Sequence, residues 1–272
     1  MKSVNNMKVA AAQMHPRFAQ PEKNRVLVKR YCKRAGKQDV DLLVFPELCI
    51  SGYNFTSKDQ VFNLAESIPD GPTTTSLIKL ADQYQLTLVM GIAEREGPNK
   101  AFNSSVIIDP RGYVGKYRKI HLFAREKEWF HAGNDPPKVW NLGKAIIGVL
   151  VCFDWAFPEV TRILMLEGCE ILCLPANLVL PYAQRTMIAR SIENRIFTIL
   201  ANRIGTERTL TFTGRSQITD IQGKILARGG KDRTGIIVAE INPRQAQNKM
   251  LTHTNNIITD RRVDLYHRLL KP

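Results

Sequence analysis

Residues 145–162 read Ala-Ile-Ile-Gly-Val-Leu-Val-Cys-Phe-Asp-Trp-Ala-Phe-Pro-Glu-Val-Thr-Arg. The apolar, β-branched first half predicts a buried strand, and Pro158 is typical of the first turn of a helix. Cys152 therefore lies where a strand passes into a helix, at the carboxyl edge of a sheet, and the helix dipole there favours a thiolate. This segment alone leaves two interpretations open, because Cys152 could be a nucleophile or an inert core cysteine.

The composition predicts a globular cytoplasmic protein that does not associate with membranes. Hydrophobic residues make up 44% of the 272 residues, and no apolar run reaches the length of a membrane span or a signal region. The five cysteines have irregular spacings, which favours reduced thiols over a disulfide framework. No linker or repeat interrupts the sequence, so we expect a single domain over residues 1–272, with the tail from about residue 242 at a subunit interface.

The formal net charge of +14 raises the possibility of a nucleic-acid partner. Residues 1–40 hold ten Lys or Arg against two acids, many of them in a helix predicted over 21–37. The apolar stripe of that helix consists of Val28, Tyr31, Cys32 and Ala35. No nucleic-acid motif accompanies the basic residues and no aromatic residues are interleaved with them. We therefore expect a solvated outer helix face.

Segments with strand and helix patterns alternate over most of the chain, which predicts the α/β class, with helices covering the sheets. The predicted strands are 8–14, 41–47, 87–93, 102–108, 113–119, 139–142, 145–152, 170–175 and 196–203, with further β-runs near 209–219, 224–228 and 234–241. The predicted helices are 21–37, 57–85 with a break at 69–72, 158–168 and 182–194. A long irregular segment, 120–137, is typical of a functional or mobile loop.

Three ionisable residues occupy the same kind of position in this pattern. Glu47, Lys119 and Cys152 each end a predicted buried strand, and open α/β sheets place catalytic groups at the carboxyl ends of their strands. Any one of them could simply mark where the chain meets water. The coincidence of all three favours a catalytic site.

Three segments carry a resemblance to a known family. Phe-Pro-Glu-Leu with Ser-Gly-Tyr (45–53), Lys-Tyr-Arg-Lys-Ile-His-Leu (116–122) and Cys-Phe-Asp-Trp-Ala-Phe-Pro-Glu (152–159) resemble the signature segments of the nitrilase superfamily, the carbon–nitrogen hydrolases. Further similar segments lie at 126–133, 175–177, 190–194 and 201–203. The resemblance covers about residues 8–240. It implies an α-β-β-α sandwich, a cofactor-free hydrolase, and a homodimer or higher homo-oligomer.

The same resemblance implies roles for the catalytic residues. Cys152 is the expected nucleophile, which attacks a carbonyl or nitrile carbon and forms an acyl-enzyme, and Glu47 is the expected general base. Lys119 and the backbone N–H of Phe153 are expected to stabilise the oxyanion. Glu126 is expected to hold the lysine and the substrate in place.

The remaining expectations concern the surroundings of Cys152. Glu126 is preferred over Glu128 because the family pattern places this acid four residues before a Phe, as at Phe130. Asp154 and Glu159 are expected to cap and charge the first turn of the helix that follows Cys152. Aromatic residues near a helix start are also common in cores. The expected substrate contacts are Phe153, Trp155, Tyr53 and Asn177.

The expected substrate is a small amide or nitrile, cleaved at a non-peptide carbon–nitrogen bond to release ammonia or an amine and a carboxylic acid. Family members that act on N-carbamoyl amino acids tend to carry arginine shortly after the cysteine, where this chain has Trp155 and Ala156. That difference favours an apolar or aromatic acyl group. An N-carbamoyl (ureido) amidohydrolase and a basic, non-catalytic nucleic-acid-binding or scaffold protein stay as alternatives.

Two other chemistries fit the sequence less well. A papain-like pair of Cys152 and His121 would leave Glu47 and Lys119 without a role. Cys169 and Cys173 lack paired histidines at ligand spacing. We therefore expect no metal and no cofactor.

Overall fold

Two six-stranded sheets packed face to face form the centre of the protein. The computed structural model describes residues 6–270. Helices cover the outer face of each sheet, so the predicted α-β-β-α sandwich is confirmed. None of the helices in the described part is long and apolar enough to cross a membrane.

The first sheet contains, in spatial order, β14 (Gly235–Ile241), β1 (Met7–Gln13), β2 (Leu42–Val44), β3 (Thr87–Glu96), β4 (Lys100–Asp109) and β5 (Gly112–Arg118). The second contains β13 (Ile225–Arg228), β12 (Gln217–Thr219), β9 (Phe197–Asn202), β8 (Ile171–Ala176), β7 (Ile146–Val149) and β6 (Val139–Asn141). A short hairpin consists of β10 (Thr206–Glu207) and β11 (Leu210–Thr211). The helices are α1 (Pro21–Gly36), α2 (Lys58–Leu64), α3 (Pro72–Tyr84), α4 (Glu126–Trp129), α5 (Pro158–Leu166) and α6 (Ala183–Asn194).

The core lies between the two sheets. Val9 and Val44 of the first sheet and Val149 and Ile199 of the second are fully buried in one apolar cluster. Removing such side chains from water stabilises the fold by about 1.5–3 kcal/mol each. The sheet-to-sheet interface therefore fixes the relative positions of the loops that follow the strands.

Helices α1 and α3 cover the outer face of the first sheet. The predicted stripe of α1 is buried against that sheet in a second apolar cluster. Lys29, Arg30, Lys33 and Arg34 are exposed on the opposite face of α1. The basic residues of the helix therefore form the solvated outer face that the sequence predicts.

Strand direction brings the predicted catalytic positions to one edge. Strands β1, β2 and β3 are parallel, and β4 is antiparallel to both β3 and β5. Strand β5 therefore runs in the same direction as β2, and the carboxyl ends of β2 and β5 lie at the same edge of the first sheet. In the second sheet β7, β8 and β9 are parallel.

Two predicted strands end earlier than expected. Strand β2 ends at Val44 and β7 at Val149, so Glu47 and Cys152 lie in the loops that follow rather than at the strand ends. Pro46 explains the first case, because it has no backbone N–H to extend the ladder beyond Phe45. Both side chains are thereby carried past the sheet edge.

The tail after β14 consists of 3₁₀ helices and turns and runs beside the outer helices of the second sheet. Lys249 anchors it, because its Nζ donates to the backbone oxygens of Asn194 at 3.0 Å and Arg195 at 3.2 Å, where α6 ends. Burial lowers the pKa of Lys249 to about 8. The tail is therefore held by hydrogen bonds to the end of α6.

Candidate active site

A buried ammonium group lies at the centre of the site. The Nζ of Lys119 donates to Oε1 of Glu47 at 2.8 Å and to the carboxylate of Glu126 at 2.8 Å. Lys119 and Glu47 are completely inaccessible to water, and Glu126 is 4% exposed. Charges are buried in proteins only when they are paired and hydrogen-bonded. The structure thus brings together Glu47, Lys119 and Glu126.

Glu47 is placed by a loop that packs directly on the backbone of β3. Gly91 donates its N–H to the oxygen of Pro46 at 3.2 Å and accepts one from Cys49 at 3.2 Å. A Cβ at position 91 would lie 2.4 Å from the Cα of Glu47, so only glycine allows this approach. The contact fixes the backbone of Glu47 against the sheet.

Lys119 directly follows β5 and is held by both of its backbone polar groups. Its N–H donates to the oxygen of Asn103 at 2.9 Å, and its oxygen accepts from Gly133 at 2.9 Å. A Cβ at Gly133 would lie 2.4 Å from the oxygen of Arg118. The irregular segment 120–137 therefore closes onto β5 through this glycine and fixes the origin of the lysine side chain.

Glu126 begins the short helix α4 inside that irregular segment. Its carboxylate accepts from the hydroxyl of Tyr53 at 2.8 Å and from the N–H of Phe123 at 3.2 Å, besides Lys119. Glu128 points elsewhere, since it is exposed and pairs with Arg125 at 3.1 Å. The geometry therefore places Glu126, the acid preferred from the sequence, on the lysine.

Cys152 lies on a tight turn after β7. It has a φ of +44°, in the left-handed region that side chains other than glycine rarely adopt. It begins a 3₁₀ helix, Cys152–Ala156, whereas α5 begins only at Pro158. Asp154 accepts from the N–H of Val151 at 2.9 Å and so caps this turn. The expected cap is thus found on the 3₁₀ helix and not on α5, whereas Glu159 lies in the first turn of α5.

The electrostatics of the site differ from one expectation. Burial and the charge of Glu47 raise the pKa of Cys152 well above its ordinary value, although the Lys119 charge lowers it. These two effects favour the neutral thiol, whereas the helix dipole alone would favour a thiolate. Burial alone would lower the pKa of Lys119, but the charges of Glu126 and Glu47 outweigh it and raise that pKa. The lysine stays charged, and the thiol requires a base.

His121 is engaged away from the thiol. Its Nδ1 lies 2.8 Å from Oδ1 of Asp154, and its ring stacks on Phe157 with 3.6 Å between the centroids. Asp154 also accepts from the hydroxyl of Tyr117 at 2.8 Å. His121 thus connects the segment after β5 with the turn of Cys152, and its observed partner is a carboxylate.

The four expected substrate contacts occupy different surroundings. Tyr53 is partly buried, its hydroxyl bonded to Glu126. Phe153 belongs to an aromatic cluster with Phe123 and Phe157. Trp155 is partly buried and packs against the main core. Asn177 is buried, its backbone N–H faces the sulfur of Cys152, and its side-chain oxygen and nitrogen have no partner within residues 6–270.

Several residues of the site escaped the sequence reasoning. Asn103 Nδ2 donates to Oε1 of Glu47 at 2.7 Å. Glu207 accepts from the N–H of Tyr53 at 2.8 Å and pairs with the buried guanidinium of Arg203 at 2.6 Å. The one available signal was an amide side chain, Asn103, within a predicted strand, since a buried amide requires a partner.

The described residues contain no group of three or more His, Cys, Asp or Glu side chains arranged to hold a metal ion. Cys169 and Cys173 are free thiols in the main core. The groups that the site does offer are a thiol, an ammonium and two carboxylates. This set suits attack on an electrophilic carbon, because it supplies a nucleophile, a proton acceptor and a cation for a developing negative charge.

The fold and this group set define a class of hydrolases, and comparison with known proteins agrees. The model of the carbon–nitrogen hydrolase family matches residues 8–249. The chain belongs to this family, within the nitrilase superfamily, as the three sequence segments indicated. It is 43% identical to the nitrilase of Pyrococcus abyssi over 262 residues. This alignment covers 96% of this chain and 100% of that protein.

Two further proteins are similar over their whole length. Citrullinase of Francisella tularensis is 30% identical over 288 residues, covering 98% of this chain and 99% of that protein. A solved mutant of the amidase from Nesterenkonia sp. AN1 matches with a TM-score of 0.82 and 25% identity, covering 98% of each chain. That structure shows covalent addition of the acetamide moiety of fluoroacetamide at the active site cysteine.

Proposed function

We propose that this chain hydrolyses a non-peptide carbon–nitrogen bond of a small amide or nitrile through an acyl-enzyme on Cys152. The observation that carries the proposal is the buried Lys119, which bridges Glu47 and Glu126 beside the thiol. A cation buried at this depth is costly unless it has partners, and it stabilises negative charge far better there than in water.

The first step transfers the thiol proton to Glu47. Oε1 of Glu47 is occupied by Lys119, whereas Oε2 is buried with no hydrogen-bond partner among the described residues. Oε2 accepts the proton as the sulfur of Cys152 attacks the substrate carbon. A carbon–sulfur bond forms, and the carbonyl electron pair moves onto oxygen.

The resulting oxyanion needs donors that are not already engaged. An ammonium has three N–H groups, and two of those on Lys119 go to the carboxylates. The third is available to the oxyanion. The N–H of Phe153 is a second donor, since it lies in the first turn of a 3₁₀ helix, where N–H groups have no intrahelical acceptor.

The second half of the reaction returns the protein to its resting state. The tetrahedral intermediate collapses, the carbon–nitrogen bond breaks, and Glu47 gives its proton to the leaving ammonia or amine. Water then attacks the thioester while Glu47 takes a proton from it. The carboxylic acid leaves as the thiol recovers its hydrogen, so an amide consumes one water. A nitrile forms a thioimidate first and consumes two.

The other proposed residues orient these groups. Glu126 holds the lysine by a second ion pair, and the hydroxyl of Tyr53 donates to Glu126. Asn177 offers a buried side-chain amide that has no partner among the described residues, beside the sulfur, which suits a polar group of the substrate. We assign Phe153 and Trp155 to contacts with the acyl group.

An N-carbamoyl amidohydrolase is the second candidate. The whole-length similarity to a citrullinase supports it, because that name indicates a ureido substrate. Trp155 and Ala156 stand where a carboxylate-binding arginine would be expected. Relative kcat/KM values on propionamide, propionitrile and N-carbamoyl-β-alanine distinguish the candidates, and we expect the amide or the nitrile to be preferred.

The decisive experiment combines a substrate panel with mass spectrometry. We expect ammonia release and an acyl adduct on the native protein, and neither with Cys152→Ala. Cys32→Ala is the control, because it removes another buried thiol, in α1. This variant should keep both the ammonia release and the acyl adduct. Unchanged turnover in Cys152→Ala would contradict the mechanism. Salt-dependent binding of DNA or RNA without ammonia release from any substrate would support the non-catalytic alternative.

We further propose a single domain over residues 1–272 that acts in the cytoplasm as a homodimer or higher homo-oligomer. Residues 1–5 and 271–272 of that domain lie outside the described part. All five cysteines are free thiols, which supports a reducing compartment. Exposed apolar side chains on α5, α6 and the tail support a subunit interface there. We assign the tail from about residue 242 to that interface.

A further inference from the structure

We propose that Asn103 is a positioning residue that fixes which carboxylate oxygen of Glu47 takes the proton of Cys152. This inference rests on the proposed role of Glu47 as general base. Nδ2 of Asn103 donates to Oε1 of Glu47 at 2.7 Å, and Nζ of Lys119 donates to the same oxygen at 2.8 Å. Oε2 has no partner among residues 6–270. Both donors thus lie on one oxygen, and the other is left for the reaction.

The position of Asn103 in the sheet makes it rigid enough for this task. It lies within β4, paired with Ala93 of β3, and it is completely buried. Its backbone oxygen accepts the N–H of Lys119 at 2.9 Å. One residue of β4, a strand paired on both sides, therefore holds the backbone of the ammonium donor and the side chain of the base. Asn103 thus links the two groups through one residue of the sheet, in addition to the loops that carry them.

The chemistry of an amide suits this position better than that of a charged group. Its NH₂ group stabilises a carboxylate without adding charge to a site that already holds one ammonium and two carboxylates. Oδ1 of Asn103 has no partner in the described part of the chain. If the amide were flipped, this oxygen would point at the carboxylate, and the repulsion between two negatively charged oxygens disfavours that orientation. Without Asn103, Lys119 alone would not determine the rotation of the Glu47 carboxylate.

Five other charged or titratable groups lie close enough to Glu47 to interact with its charge. They are Lys119 after β5, Glu126 in α4, Cys152 after β7, Tyr53 in the loop after Glu47, and Arg203 after β9. None of them changes in a variant at position 103. A change in the pH profile of such a variant therefore reports the lost amide.

The test measures pH–rate profiles of Asn103→Ala and Asn103→Asp on the best substrate of the panel. Loss of a donor disfavours the ionised base, so the acid limb of kcat/KM moves to higher pH, by about one unit for Ala. Asp has nearly the size of Asn but adds a third carboxylate to the site, so the acid limb of Asn103→Asp moves further to higher pH than that of Asn103→Ala. We expect kcat at pH 7 to fall by about 10- to 100-fold with little change in KM.

Ser105→Ala is the matched control, because Ser105 is a buried polar residue two positions further along the same strand face. Its profile should coincide with that of the native protein, and melting temperatures identify any variant that fails to fold. An acid limb that stays at the native pH in the isosteric Asp variant would overturn the inference. If the native protein forms an acyl adduct while that limb is unmoved, only the role of Asn103 fails. If no adduct forms at all, the proposed function fails with it.

Discussion

At the scale of single residues, Lys119 shows how one side chain serves structure and chemistry. Its two bonds to Glu47 and Glu126 allow it to be buried, and they also leave one N–H in a fixed direction. A more exposed lysine would lose this direction to rotamer freedom and to water. The value of the residue therefore comes from its two carboxylates as much as from its own charge.

Replacement of this residue tests its role. We expect Lys119→Ala to lower kcat about 100- to 1,000-fold, as loss of an oxyanion donor does in other enzymes. Steady-state kinetics with the preferred amide or nitrile measures the loss. Lys116→Ala is the control, since Lys116 lies on β5, three residues before Lys119, but pairs with Glu94 outside the site, and it should retain activity within about threefold. Near-native turnover of Lys119→Ala would remove the lysine from this role.

The residue scale also shows what sequence could predict. Glu47, Lys119 and Cys152 were predicted from their positions at the ends of strand patterns, and Glu126 from the resemblance to the nitrilase superfamily. The protonation state of the thiol did not follow, since burial and the nearby Glu47 determine it and both depend on the three-dimensional surroundings. The hydrogen bond of Asn103 to Glu47 was not predicted either, because it also depends on the three-dimensional surroundings.

At the scale of elements, the site depends on how closely loops approach strands. Most predicted helices and strands are confirmed, since hydrophobic period and Pro or Gly positions decide them locally. The ends of β2 and β7 were placed too late, and the 3₁₀ helix that begins at Cys152 was missed. These details follow from tertiary hydrogen bonds, such as those between the loop of Glu47 and Gly91.

Gly91→Ala tests this dependence. The new Cβ would meet backbone atoms of Glu47 and Leu48 at 2.4 and 2.7 Å, so the loop must move. We expect a loss of about 1–3 kcal/mol in the free energy of unfolding. We also expect kcat to fall by more than the loss of folded protein accounts for. Urea unfolding and kinetics measure both. Gly235→Ala is the control, because a Cβ there meets nothing within 4 Å, and native kcat in Gly91→Ala would contradict the proposed loop placement.

At the scale of the whole molecule, the two outer faces differ in chemistry. Helix α1 presents Lys29, Arg30 and other basic side chains to solvent on one face. On the other face Ile163 and Leu166 of α5 and Ile192 of α6 are each more than 40% exposed. Apolar side chains clustered on neighbouring elements are typical of an interface. The basic face of α1 and the proposed subunit contact therefore lie on opposite sides of the sandwich.

This asymmetry predicts which surface a second copy covers. Static light scattering should give at least twice the 30.8 kDa mass of one chain for the native protein, and Ile192→Glu should reduce it to one chain, because a buried unpaired carboxylate opposes association. Val26→Glu is the matched control: Val26 is 53% exposed, but on α1, and the variant should keep the native mass. A monomeric native protein, or dissociation by Val26→Glu alone, would place the interface elsewhere or remove it. Because the tail is anchored at the end of α6, dissociation should also expose it to proteolysis after Lys249.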